Sequence, residues 1–300
     1  MVAAESDRPK NAPAAAPAVR AFFDDATFTV TYLVADPATG RAAIIDPTLD
    51  FDAKSGRTST RSADAVVEAA RTAGLSVEWV LETHVHADHL TAAPHLRTRT
   101  GASVGIGARI VEVQRTFKPV FGAADLQTDG RQFDRLFADG DRFSLGAIPV
   151  EVIATPGHTP ACVTYRIGDA MFVGDTLFMP DFGTARTDFP GGDAATLYRS
   201  IRRILAQPLE TRIFVGHDYK APGRDQYAWE TTVADERARN IHIRDGIGEA
   251  DFVRMRTERD AKLGMPALIL PAIQVNIRGG AFPPPEADGR VYLKLPVDRI

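Results

Sequence analysis

Cysteine is almost absent from this chain. One residue of 300, Cys162, carries a thiol, which excludes an intrachain disulfide framework and a cysteine-built zinc site. Long hydrophobic runs are missing too. No stretch of about 18 apolar residues occurs, so no membrane-spanning helix is expected. Excess positive charge is lacking: 35 Lys and Arg stand against 39 Asp and Glu, for a net charge of −4. That leaves no basic footprint for nucleic acid. Residues 1–18 are rich in Ala and Pro, with Glu5, Asp7, Arg8 and Lys10 among them and no continuous apolar core. Neither a secretory signal nor a transit peptide is expected there. The stretch reads as a flexible leader to a single domain over residues 19–300, with a C-terminal extension from about residue 246. A cytoplasmic location fits this composition.

What is present is an ordinary core-forming composition, 44% hydrophobic and 25% charged, with its chemistry concentrated in histidine. Three of the seven histidines fall in Thr83-His84-Val85-His86-Ala87-Asp88-His89. Residues 77–81 before them read as a short apolar strand. Residues 90–100 after them read as a helix, with Pro94 tolerated only in its first turn. Extended backbone sends His84 and His86 to the same side, and Asp88 and His89 follow where the chain turns. Burying four such groups unpaired costs several kcal/mol. A cation removes that cost, and imidazole with carboxylate is the common donor set for zinc and iron.

Along the chain, residues 27–34 and 41–46 read as strands, 52–62 as loop, and 63–73 as a helix stopped by Gly74. Residues 102–106 read as a strand and 118–134 as a polar loop, a lid over the site. Strands are expected at 142–145 and 148–154 around Gly146, and a hairpin at 163–167 and 170–173. Residues 194–205 form an amphipathic helix with Leu197, Ile201, Ile204 and Leu205 on one face. A last strand is expected at 212–215, with helices at 227–240 and 249–263. No periodicity follows Pro271. Two groups of strands, each followed by helices, predict two sheets face to face with helices outside: a four-layer αββα sandwich of the α/β (α+β) class.

Three further strands end in a donor residue with glycine just before it: Gly157-His158, Gly174-Asp175 and Gly216-His217. Glycine there permits a tight turn or close approach. With the first cluster, they deliver His84, His86, Asp88, His89, His158, Asp175 and His217. His95 and His242 lie in stretches read as helical and are taken as structural or surface residues. Cys162 reads as a buried structural thiol.

His-x-His-x-Asp-His, Pro-Gly-His, Gly-Asp-Thr and Gly-His-Asp together resemble the metallo-β-lactamase superfamily. For its two-metal members, the resemblance implies one metal on His84, His86 and His158, another on Asp88, His89 and His217, and Asp175 between them. The finer text, residues 81–93, Gly174-Asp175-Thr176-Leu177-Phe178, residues 183–189, Gly216-His217-Asp218-Tyr219-Lys220 and Gln274-Val275-Asn276-Ile277-Arg278, is similar to the persulfide dioxygenases. Within these it is most like the bacterial β-lactamase-like-hydrolase type associated with sulfide detoxification. That resemblance implies one Fe(II) per chain on His84, His158 and Asp175, with His86, Asp88, His89 and His217 in the outer sphere. The implied reaction oxidises glutathione persulfide with O₂ to sulfite and glutathione, in a homo-oligomer, a dimer. Arg186, Tyr219 and Lys220 are expected to bind the substrate. Thr184 stands where many relatives carry Cys. Two other readings stand beside this one: a glyoxalase II-like thiolester hydrolase with a zinc or mixed dinuclear site, and a non-catalytic sensor on the same fold.

Overall fold

The computed structural model describes residues 16–299. In chain order its first elements are β1 (Ala18–Asp24), β2 (Thr29–Ala35), β3 (Arg41–Ile45), β4 (Thr48–Asp52), β5 (Arg57–Ser59), α1 (Arg61–Thr72), β6 (Ser76–Leu81), β7 (Leu90–Thr91), α2 (Ala93–Thr100), β8 (Ser103–Gly107), α3 (Ile110–Val120) and β9 (Arg135–Phe137). Then come β10 (Arg142–Leu145), β11 (Ile148–Ala154), β12 (Val163–Ile167), β13 (Ala170–Phe172), α4 (Ala194–Leu205), β14 (Arg212–Phe214), β15 (Glu230–Thr232), α5 (Val233–Arg239), α6 (Glu249–Asp260) and α7 (Ile269–Asn276). One six-stranded sheet has the order β1-β2-β3-β6-β8-β9 and a second β10-β11-β12-β13-β14-β15, with a small β5-β4-β7 sheet beside the first.

Strand alternation builds the layers. In β2, Val30, Tyr32 and Val34 join the core between the sheets, while Leu33 and Ala35 join the core under the helices. In β13, Phe172 faces inward and Met171 faces Leu197, Ile201 and Ile204 of α4. The result is the αββα sandwich. Two buried tyrosines tie its sheets together: Tyr32 Oη donates to the Val215 carbonyl at 2.6 Å and Tyr165 Oη to the Glu82 carbonyl at 3.0 Å. Each ring stabilises by about 2 kcal/mol through burial, and each hydroxyl finds the acceptor that burial demands.

Several expectations need correcting. Residues 52–62 are not plain loop: Phe51 pairs with Thr58 in the β4–β5 hairpin, and α1 begins at Arg61. Exposed β5 carries no apolar alternation to reveal it. Residues 90–100 are a two-residue strand and then α2, with Pro94 in its first turn. The expected lid at 118–134 is built into the fold: α3 runs to Val120, and Phe121, Ala123, Leu126 and Phe133 are buried in the core. Residues 227–240 divide into β15, paired with β14, and α5, capped by the Thr232 hydroxyl. Pro271 lies inside α7, whose burial on several sides leaves no amphipathic stripe to read. Residues 1–15 of the expected leader lie outside the described residues, and Ala18 already pairs with Ala35. Beyond residue 246, α6 packs Phe252 into the α4 layer and α7 packs Ile273 under the first sheet. Among the described residues no helix is long and apolar enough to cross a membrane.

Candidate metal centre

Topology decides where the donor residues gather. β3 and β6 run parallel, so Asp46 and the 84–89 loop leave the first sheet at one edge. β11 and β13 each pair antiparallel with β12, and β13 runs parallel to β14. Their C-terminal ends therefore also share an edge, carrying His158, Asp175 and His217. Such an edge is where open α/β sheets collect ligands. Backbone bonds join the two edges: Val163 N–H donates to the Thr83 carbonyl and Val30 N–H to the Gly216 carbonyl, both at 2.9 Å.

Glycine is required before two of these donors. Gly157 has φ +135°, and a Cβ there would sit 2.4 Å from Leu197 backbone atoms. Gly174 has φ +51°, and its Cβ would sit 2.4 Å from Thr83 Oγ1. Both conformations disfavour a side chain, and both let a strand end approach its neighbour closely.

Each imidazole is held from behind. His158 Nδ1–H donates to the Arg186 carbonyl at 2.8 Å, and His217 Nδ1–H to the Phe28 carbonyl at 3.2 Å. The Thr83 hydroxyl donates to Asp46 Oδ2 at 2.8 Å, so His84 Nδ1–H donates to Thr83 Oγ1 at 3.0 Å. His86 Nε2 faces Asp46 Oδ1 at 3.0 Å, and Thr29 Oγ1 lies 3.3 Å from His89 Nδ1. A carbonyl or an already donating hydroxyl only accepts, so Nε2 of His84, His158 and His217 carries a bare lone pair.

Those lone pairs converge. His84 Nε2 and His158 Nε2 lie 3.8 and 3.7 Å from Asp175 Oδ2, and His217 Nε2 lies 3.2 Å from Asp88 Oδ2 and 3.4 Å from Asp175 Oδ1. His84 Nε2, His86 Nδ1, His89 Nε2, His217 Nε2 and Asp175 Oδ1 are buried without a hydrogen-bond partner. Each would cost about 1–3 kcal/mol if left so. A cation removes that cost for the atoms it binds. Donor atoms of His84, His158 and Asp175 lie within 4.8 Å of one another, as do those of His86, Asp88 and His217, and of Asp46, Glu82 and His86. Each of these groups is close enough to hold a metal ion.

Electrostatics divide the imidazoles: burial opposes charge on His217, but Asp175 and Asp88 raise it above its ordinary pKa. Burial pushes the His84 imidazole well below its ordinary pKa, with His86 and His158 adding to the effect. Burial also opposes charge on Asp88, but His217 and His89 hold its carboxyl well below the usual range. His86 goes the other way: burial alone would lower it, and Asp46 raises it well above.

Of the expected substrate residues, Arg186 is already engaged. Its guanidinium forks onto Asp188 at 2.5 Å and donates to the Gly264 carbonyl at 2.7 Å. Tyr219, 41% exposed, stacks on His217 at 5.5 Å and packs against Phe28 and Phe182. Lys220 Nζ sits 4.3 Å over the Tyr227 ring. His95 pairs with Asp64 at 2.9 Å. His242 follows α5 rather than lying in it, is buried, and accepts from Thr184 N–H at 3.0 Å. The Cys162 thiol is buried and pushed up to about 12.

The residues not anticipated stand behind the donors. Asp46 ends β3 beneath His84 and His86, and Glu82 accepts from the Thr91 hydroxyl. Asn276 of α7 donates to the carbonyls of His86 at 2.9 Å and His89 at 2.8 Å and accepts from Thr91 N–H at 2.9 Å. Its only signal in the sequence was the Gln274-Val275-Asn276 text carried by resemblance.

A family model for the metallo-beta-lactamase superfamily matches residues 24–217. The beta-lactamase hydrolase-like protein of Agrobacterium fabrum is 54% identical over 285 residues, 95% of this chain and 66% of its own length. The chain thus spans about two thirds of that relative. The glyoxylase B2 of Dictyostelium discoideum is 46% identical over 273 residues, 89% of this chain and 92% of its own. The mitochondrial persulfide dioxygenase ETHE1 of Bos taurus is 31% identical over 270 residues, 89% of this chain and 90% of its own. The solved structure of ETHE1 from Myxococcus xanthus superposes with a TM-score of 0.70 at 32% identity, covering 88% of this chain and 100% of that one.

Proposed function

The chain belongs to the metallo-β-lactamase superfamily, and from that premise we propose that this metal-dependent enzyme is a persulfide dioxygenase. Its substrate is glutathione persulfide, its products sulfite and glutathione, and its role sulfide detoxification. The observation that carries the reading is the set His84, His158 and Asp175, two imidazoles and one carboxylate with donor atoms within 4.8 Å. That set suits a non-haem Fe(II) and leaves coordination positions open. When bound, the iron supplies the one-electron redox chemistry that O₂ activation needs and that zinc lacks. Likeness to the bovine persulfide dioxygenase supports the same assignment.

The chain's own residues then divide the work. His84, His158 and Asp175 hold the iron. Thr83 and the Arg186 carbonyl fix the two imidazole tautomers. Asp88, His89 and His217 orient water and substrate from the other side, and His86 is held by Asp46. Tyr219 and Lys220, at the exposed rim, take the carboxylates of glutathione, while Arg186 serves through its carbonyl. We place this activity in the cytoplasm, in a homodimer.

A second reading is kept by one observation. His86, Asp88 and His217 form another close donor group, and the 46% identical Dictyostelium relative is named glyoxylase B2. A dinuclear site there would hydrolyse a thiolester through a metal-activated water. The purified protein, given glutathione persulfide in an oxygen electrode and S-lactoylglutathione in a thiol-release assay, separates the two. The dioxygenase consumes O₂ in proportion to sulfite formed and leaves the thiolester intact. Thiolester cleavage without O₂ uptake would overturn the proposal.

A further inference from the structure

We propose that the buried Arg256–Asp260 ion pair on α6 is a positioning device that aims His158 through the backbone of residues 184–187. His158 depends on the Arg186 carbonyl for its tautomer and direction, at 2.8 Å. That carbonyl belongs to an irregular segment with no helix or strand of its own. The ion pair grips the segment on both sides of Arg186. Arg256 Nη1 donates to the Thr184 carbonyl at 3.1 Å. Asp260 Oδ2 accepts from Thr187 N–H at 2.8 Å and from the Thr187 hydroxyl at 2.9 Å. The pair is closed by Arg256 Nε and Nη2 donating to Asp260 Oδ1 at 2.9 and 2.7 Å. Both side chains are nearly inaccessible, 3% and 6% exposed.

A buried ion pair is a poor stabiliser by itself, because desolvation offsets the attraction and apolar replacements of similar volume are often neutral. Here the pair's remaining hydrogen-bonding capacity goes to the segment that holds His158. Loss of the pair frees Thr184 and Thr187, the Arg186 carbonyl drifts, and the imidazole loses its orienting acceptor. Such orienting partners commonly alter metal affinity by about 10–100-fold. The inference rests on His158 being a metal ligand, but not on which metal is bound or which reaction follows.

The test uses histidine-labelled (¹⁵N) full-length protein, first metal-free and then titrated with Co(II). In the metal-free protein, long-range ¹H–¹⁵N correlation is expected to show His158 as a single Nδ1–H tautomer. In Asp260→Ala, and in the apolar double variant Arg256→Met/Asp260→Leu, His158 is expected to populate both tautomers. Co(II) affinity should fall about 10–100-fold. Asp260→Asn, which keeps an acceptor for Thr187, should restore much of both. Thr187→Val, which keeps its N–H, should weaken Co(II) binding only a few-fold and serves if the larger changes do not fold. An unchanged His158 tautomer and Co(II) affinity in a folded double variant would overturn the proposal; failing that variant, no change in Thr187→Val would do so. If wild-type His158 does not respond to Co(II), the ligand reading fails. The metal-free tautomer comparison still decides whether α6 positions the ring.

Discussion

The two halves of the metal centre are built in opposite ways. The half from the first sheet is contiguous: His84, His86, Asp88 and His89 come from one loop after β6, braced from below by Asp46 and Asn276. The half from the second sheet is assembled from His158, Asp175 and His217, single residues at the ends of three strands. No one loop holds them. They rely on tight glycine turns and on the 184–187 segment, which itself relies on α6 and His242. The first half is thus fixed by its own loop, one aspartate and one asparagine. The second is fixed by a longer chain of supports, each open to separate disturbance.

The sharpest way to break that comparison is at the junction. Asp175→Ala removes the carboxylate that faces both halves, and activity with metal content should fall by at least about 100-fold. Metal analysis and turnover assays on the folded variant check it; retention of metal would mean that the halves bind independently. Asn276→Ala strips two buried carbonyls and one N–H of their partner, all in the first half. It should cost about 3 kcal/mol in denaturant unfolding and lower metal affinity while leaving the His158 tautomer unchanged.

Two groups behind the second half give opposite pH leans. Burial pushes the Glu236 carboxyl up to about 8 from 4.5, where it accepts from Asn240, which also donates to the Gly183 carbonyl. The folded state keeps a proton that the unfolded state releases, so stability falls as pH rises from about 4.5 to 8. Glu236→Gln should remove that slope and gain up to about 5 kcal/mol above pH 8. Burial lowers His242 to about 4 from 6.5, so the unfolded state binds the extra proton. Stability is lost as pH falls from about 6.5 to 4, and His242→Gln should flatten that limb by no more than about 2 kcal/mol. Urea midpoints measured across pH read both. The smallest effect lies at the rim: Lys220→Met should raise KM for glutathione persulfide by about five-fold or less at unchanged kcat.

The same asymmetry governed what the sequence revealed. The 84–89 cluster was legible because four donor residues in six positions have no use in a plain core. His158, Asp175 and His217 were legible only as a repeated pattern of strand, glycine and donor, and the close approaches at Gly157 and Gly174 give that pattern its reason. The sandwich followed from the order of strands and helices along the chain. The supports stayed hidden. Asn276 lies in a helix buried on several sides, where a polar residue carries no periodic signal. Arg256 and Asp260 look like an ordinary i, i+4 surface pair until α6 is seen packed against residues 184–187. Arg186 was legible through its charge, but the contact of its carbonyl with His158 and its pairing with Asp188 were not. Local sequence shows donors well and shows poorly what holds them.

Metal quantitation on protein purified under anaerobic conditions tests the central claim most directly, with His84→Ala prepared alongside. A single iron per chain, lost in the variant, is the predicted result. A matched pair of zinc ions in each wild-type chain would contradict it.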